Sequence, residues 1–175
     1  MTNPIEDCIK HRMKDWLPAQ SPAVWHEIAT CWNWGSGIEP LAWIASQPSC
    51  DAGTAQTIFW NGEPSEYSVM EQGRNEVSAY RHDVYDMLAQ IAARWNAGEY
   101  ITWRYKTIPD ILTSRRFYDL PAANSDFDVD PSIMENGGQV EFDNVDIRLI
   151  EGQPLDIIKT CYGEQGKDVP KWMLG

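Results

Sequence analysis

Apolar residues recur at three- and four-residue spacing in several stretches of the chain, and each such stretch predicts a helix with one buried stripe. The first follows Ser21-Pro22, where a capping side chain precedes a proline whose missing N–H costs nothing at the first helical position. Val24, Trp25, Ile28, Cys31 and Trp32 form its stripe, and Asn33 with Gly35 to Gly37 stops it. A second helix fits Glu39 to Ser46, with Leu41, Ile44 and Ala45 inward, and closes before Pro48. The third takes Asp51 as N-cap, turns Ala55, Ile58 and Phe59 inward and ends at Asn61-Gly62. The longest signal runs from Arg74 to Ala97, where Val77, Tyr80, Val84, Met87, Leu88, Ile91 and Trp95 share a face. Gly98 is its natural stop.

Outside these stretches the pattern is weaker. Residues 1–20 are polar and read as a short helix or an N-terminal arm, which leaves 21–175 as a single helical domain. Ile101, Trp103 and Tyr105 alternate with Thr102, Arg104 and Lys106, which fits a strand or the first turns of a helix. Pro109 is placed to open a helix containing Ile111, Leu112 and Phe117, and Pro121 to end it. Residues 122–138 are acidic and rich in turn formers, so a surface loop with little packing is expected. Val145, Ile147 and Leu149 alternate as in a strand, so a short strand pair near 101–107 and 145–150 is compatible with the pattern. Pro154 to Tyr162 reads as a last helix ended by Gly163, with Val169, Trp172 and Leu174 docking back. The predicted fold is mainly α, one compact helical domain.

Composition narrows the function more than the fold. The 175 residues suit one soluble domain, and no run approaches the roughly 18 apolar residues of a membrane helix. The start MTNPIEDCIKHRMKDW lacks the apolar core of a signal peptide, so a cytoplasmic location is expected. Cys8, Cys31, Cys50 and Cys161 contain no CxxC pair and are expected to be buried, reduced thiols.

Charge is the informative quantity: 14 Lys and Arg against 26 Asp and Glu give a net of −12. That excess opposes contact with a phosphate backbone or an anionic membrane, so neither nucleic acid nor membrane is an expected partner. Between Lys14 and Arg74 seven acids stand without a basic residue. From Phe117 to Ile158 ten acids face only Arg148; among them are Asp126, Asp128, Asp130, Glu135, Glu141, Asp143 and Asp146. Such asymmetry creates a field that steers a basic partner.

Catalytic chemistry is not legible. His11, His26 and His82 fall on separate segments, and Thr30 stands where an HExxH motif needs its second histidine. Gly35-Ser36-Gly37 lacks the spacing of a nucleophile elbow. Asp126, Asp128 and Asp130 copy the first ligands of a calcium loop, but Pro131 takes the place of the turn glycine and Gly137 that of the final glutamate. No catalytic residue, cofactor or metal is expected. Six of the nine tryptophans lie in the first 60 residues; Trp25, Trp32 and Trp60 suit core positions, whereas Trp34 and Trp43 can line a groove for an arginine-rich partner.

One segment carries a resemblance. His26, Glu27, Ile28 and Ala29, then Trp32, Asn33, Trp34 and Gly37, Pro40, Gln47, Pro48, Cys50 and Asp51, and finally Thr54, Ala55, Phe59 and Trp60 form a series of fixed steps. The series resembles the bacterial domain of unknown function 4274 family. The resemblance implies a helical domain and, for some relatives, a place beside secreted toxins as immunity proteins. Members commonly carry acids in the Asn-Trp turn, where this chain has Gly35 and Ser36. The motif residues themselves read as structural: Asn33 and Gly37 make a turn, Pro48 separates two helices, Asp51 caps and Cys50 fills an apolar gap. The expected function is a non-catalytic immunity protein that neutralises a basic toxin domain through an acidic face, with Trp34 and Trp43 as aromatic anchors. The competing expectation is a small enzyme or ligand-binding domain with its site near the Trp32 to Asp51 helices.

Overall fold

The computed structural model describes residues 3–107, 111–119 and 122–174. It is mainly helical. Helix α1 (Pro4–Trp16) opens where the Asn3 side chain accepts from the Ile5 N–H at 3.1 Å, with Glu6 and Asp7 in its first turn and Lys14 in its last. Ile5, Ile9 and Met13 recur every fourth residue and are buried, so of the two readings of the first 20 residues the structure has a packed helix, with no loose arm. α1 lies against α8 (Leu155–Glu164), and a disulfide between Cys8 and Cys161 joins them. The expectation of four reduced thiols is therefore wrong: the two cysteines are 153 residues apart and nothing in their spacing marks them, yet their Cα atoms meet at 5.8 Å. Cys31 is exposed, and only Cys50 is a buried thiol.

The next helices fall where the periodicity placed them: α2 (Pro22–Cys31), α3 (Glu39–Ser46) and α4 (Ala52–Asn61). Ser21 holds the N-cap position of α2 with an extended backbone but makes no side-chain bond, so Pro22 alone acts as the start signal. Asp51 does cap α4, accepting from the Gly53 N–H at 2.9 Å. α2 packs on α4, and Ile28, Leu41, Ile44, Ala55, Ile58 and Phe59 are wholly buried between them. A short α5 (Ser65–Ser68) leads away from α4.

α6 (His82–Asn96) crosses α3 and α4 with Leu88 and Ile91 in the same core. It is shorter than the Arg74 to Ala97 periodicity suggests. Residues 73–76 and 79–81 are separate 3-10 turns, and Val77 and Ser78 between them are extended. His82 Nε2 lies 2.9 Å from the Val77 carbonyl across the break. Val77 is buried from outside the helix, while Tyr80 is 85% exposed and shares no face with Leu88.

α7 (Ile111–Asp119) sets Phe117 edge-on against Phe59 and Trp60. The prolines expected to bound it, Pro109 and Pro121, lie outside the described residues. Residues 122–138 are not a loosely packed loop. Two 3-10 turns (Ser125–Phe127, Pro131–Met134) bury Phe127, Val129 and Ile133. The expected strand pair is also different: Tyr105 makes a single parallel bridge with Val140, and the two-stranded sheet joins β1 (Leu149–Ile150) to β2 (Gln153–Pro154). α8 runs through Gly163 to Glu164, because its φ is ordinary and Gly166 takes the left-handed turn instead. In the tail a last turn, α9 (Lys171–Leu174), packs Met173 inward with Val169, whereas Trp172 faces solvent.

Candidate functional site

Four of the family-motif residues, His26, Cys50, Asp51 and Thr54, meet at one buried junction. Asp51, at the start of α4, uses one carboxylate oxygen for the N–H groups of Gly53 and Tyr105 (2.9 and 3.2 Å) and the other for that of Arg104 (2.6 Å). The Ala52 N–H donates to the Thr102 carbonyl at 2.7 Å. Thr107 Oγ1 donates to the Gly53 carbonyl at 2.6 Å and also meets Thr57. Residues 102–107 are thus clamped to the first turn of α4 by groups a carboxylate, two threonines and a glycine supply.

His26 of α2 sits beside this clamp. Its Nδ1 is 3.0 Å from Thr54 Oγ1, the ring also bonds the Glu141 backbone, and Tyr105 stacks on it with centroids 4.4 Å apart. Burial lowers its pKa from the usual 6.5, against the opposing pull of the Asp51 and Asp143 charges. The ring is therefore neutral at pH 7, with its nitrogens engaged. Over it, Asp143 receives the Arg104 guanidinium (3.0 Å to Oδ2) and the Tyr105 hydroxyl at 2.5 Å. These bonds hold the Asp143 carboxyl down at about 2, and burial with the Asp143 bond pushes Tyr105 up to about 12. Cys50 is buried next to Asp51 and pushed up to about 12, so it is a thiol and no nucleophile at neutral pH.

The remaining motif residues hold the turn after α2. Asn33 caps it through Gly35 N–H (2.9 Å) and donates to Glu151 Oε2 (2.8 Å); Trp32 Nε1 donates to the Gly37 carbonyl at 2.7 Å. Pro48 stands exposed in the link from α3 to α4, and Phe59 and Trp60 pack against Phe117. A cavity of about 380 Å³ opens beside this turn, lined by Met13, Trp32, Asn33, Ser36, Pro40 and Glu151 among others.

The acids divide among three places. Asp126, Asp128 and Asp130 lie along α6. Asp126 accepts from the Tyr85 hydroxyl at 2.6 Å, and the Asp128 carbonyl and Asp130 N–H both bond Asn96 (2.7 and 2.8 Å). The Ser132 hydroxyl and then its N–H, the latter at 2.8 Å, bond the Asp130 carboxylate and lower its pKa. Glu135 follows where Gln56 Nε2 grips the Ile133 and Glu135 carbonyls, both at 2.6 Å. Glu141 and Asp143 belong to the His26 side, and there Asp143 is neutralised by Arg104, whereas Asp146 lines a separate cavity with Asp15 and Asp156. Asp128, Glu135, Glu141 and Asp146 are exposed and form no ion pair among the described residues.

Neither tryptophan anchor joins them in a pocket. Trp34 is half-buried in the turn after α2. Trp43, edge-on to Trp25 at 5.3 Å, lines a cavity of about 500 Å³ with Lys10, His11, Lys14, Leu17, Glu39 and Pro40. Among the described residues no group of three or more His, Cys, Asp or Glu side chains is placed to hold a metal ion. Among the described residues no helix is long and apolar enough to cross a membrane.

The clamp partners Arg104 and Tyr105 were not legible as such: their alternation marks an extended segment, but nothing near them names Asp51 as their acceptor. Gln56 carries no signal beyond being polar on an otherwise apolar helix face.

Residues 20–96 match the model of a family described as a domain of unknown function (DUF4274). That span contains every motif residue from His26 to Trp60 together with α6. No curated protein and no solved structure matches the chain.

Proposed function

With the resemblance to that family as premise, we propose that the protein is a non-catalytic immunity protein that binds and neutralises a basic toxin or effector domain. One observation carries the reading: the acids of 126–135 ride on a segment fastened to the core by Gln56, Asn96 and Tyr85, and the Glu141 backbone is bonded by His26, so these charges are held in place before a partner arrives. A pre-ordered acidic surface loses little entropy on association and speeds encounter with a positive one. The reading places the protein in the cytoplasm during protection and assigns no cofactor, metal, nucleic acid or membrane as partner.

The experiment changes Asp128, Glu135 and Glu141 together to Lys. All three are exposed and have no ion pair among the described residues, so the fold is expected to persist. Association with the product of the neighbouring gene should slow by about tenfold or more at low salt, and cells should lose protection. Unchanged association and protection would reject the acidic-face reading.

The competing reading, a small enzyme or ligand-binding domain near the Trp32 to Asp51 helices, is favoured by the cavity beside Asn33 and Ser36. A ligand that raises thermal stability in the parent but not in Ser36→Trp would support it.

A further inference from the structure

Residues 143–147 have the burial pattern of a strand and, among the described residues, no strand beside them. Val145, Ile147 and Leu149 are half-buried while Asn144, Asp146 and Arg148 are exposed, the period of two that an extended chain on a surface produces. Yet among the described residues no backbone N–H or C=O of 143–147 bonds another backbone group; the first such bond is from the Leu155 N–H to the Arg148 carbonyl at 2.9 Å. A row of donors and acceptors with no backbone partner is a template for one more strand.

Beside this segment runs a cavity of about 850 Å³, bounded on the far side by α1 and α8. Its apolar lining includes Trp16, Val24, Val145, Ile147, Leu155 and Ile157. Asp15, Asp146 and Asp156 stand on it as acids. Two cations also line it, and both are engaged: Arg12 pairs with Glu164, and Arg148 donates to the Leu174 carbonyl at 2.7 Å.

We infer that the groove along 143–148 accepts an extended basic segment of a partner protein, added as a strand, with apolar side chains on the Val145–Ile147 floor and Lys or Arg against Asp15, Asp146 and Asp156. Backbone pairing supplies affinity and the alternate side chains supply selectivity. A second copy of this chain would bring the same acids onto each other, which like-charge repulsion opposes. The inference needs no toxin as the partner. If the effector proposed above is the partner, this is where one of its strands docks, and the peptide test below is separate from the cell-protection test, so either can fail alone.

The probe is a synthetic peptide of about eight residues alternating Val and Lys, a length within the ordinary range of strands. Hydrogen exchange followed by NMR on the full chain should show new protection at the amides of 143–147 when it binds. An otherwise identical Val-Glu peptide should not bind. Asp146→Pro, which removes one N–H that has no internal partner, should weaken binding about tenfold, and Asp146→Lys with Asp156→Lys should do so at low salt while the circular dichroism stays helical. Absence of binding by the Val-Lys peptide, equal binding of both peptides, or binding without protection at 143–147 would overturn the inference. Protection of these amides that rises with protein concentration and no peptide would instead assign the groove to a second copy, and would also overturn it.

Discussion

A methyl group added at Gly53 would lie 1.9 Å from the Tyr105 carbonyl oxygen, and one at Gly138 would lie 2.0 Å from the same atom. Both glycines are where they are because two backbones pass each other there, and the carbonyl between them is fixed by the Asp51 clamp. Gly53→Ala should therefore force the clamp open and cost about 1 to 3 kcal/mol in urea unfolding. An unchanged midpoint would show that 102–107 can shift without loss. His26 contributes a pH dependence at the same place. Its folded pKa lies below 6.5, so as pH falls from 6.5 the unfolded chain takes up a proton that the folded chain refuses. Stability present above 6.5 is lost as pH falls toward the folded value, and Asp143 adds a second loss between 3.8 and about 2. In His26→Gln the denaturation midpoint should fall less steeply between pH 6.5 and 5 than in the parent. Identical slopes would mean that His26 charges freely in the fold.

Among the elements, the helix from 82 to 96 gives the cleanest stability test. Leu88 is wholly buried and its methyl groups touch the Gly62 position, where an added Cβ would come within 2.6 Å. Leu88→Ala should cost about 2 to 5 kcal/mol. The helices α2, α3 and α4 were legible because cap, apolar stripe and stop agreed over each. Residues 74–81 misled because Val77 is buried as helix periodicity demands, but through an extended turn held by His82; apolar spacing cannot tell these apart. α1 was under-read because its stripe is only one residue wide. The acids and turn formers of 122–138 point to a loop, while its structure is set by Phe127, Val129 and Ile133, three apolar residues that make no helical or strand period. As a consequence, reversal of Asp126 is no pure surface change: Asp126→Lys removes the nearer acceptor of the Tyr85 hydroxyl and leaves it only Asn124 Oδ1 at 3.4 Å. It should destabilise by about 1 to 3 kcal/mol, whereas Asp128→Lys should be nearly neutral. Equal effects would mean that the Tyr85 bond contributes nothing. The junction itself was half legible, since the motif residues stand within 35 positions but their partners come from beyond residue 100.

For the whole molecule the dominant covalent fact is the Cys8–Cys161 bond, which closes nearly the entire chain into one loop. On the chain-entropy account such a loop stabilises by about 5 kcal/mol. Cys8→Ser with Cys161→Ser should lower stability by about 2 to 5 kcal/mol and free α1 from α8 before the rest unfolds, visible as early hydrogen exchange at 5–16. A disulfide persists only where the medium is oxidising, so thiol titration of unfolded protein drawn quickly from cells tests the cytoplasmic placement directly. Four reactive thiols would mean that the working form in the cytoplasm lacks the bond; two would place the folded protein in an oxidising compartment.

The same bond decides what happens when the backbone is cut. A protease that nicks anywhere between residues 8 and 161 severs the chain without separating the pieces, since the sulfurs still join them. Damage to a surface segment such as 122–138 would then leave one body that runs as a single band on a non-reducing gel and as two on a reducing one. Ends that are tied together survive a broken middle.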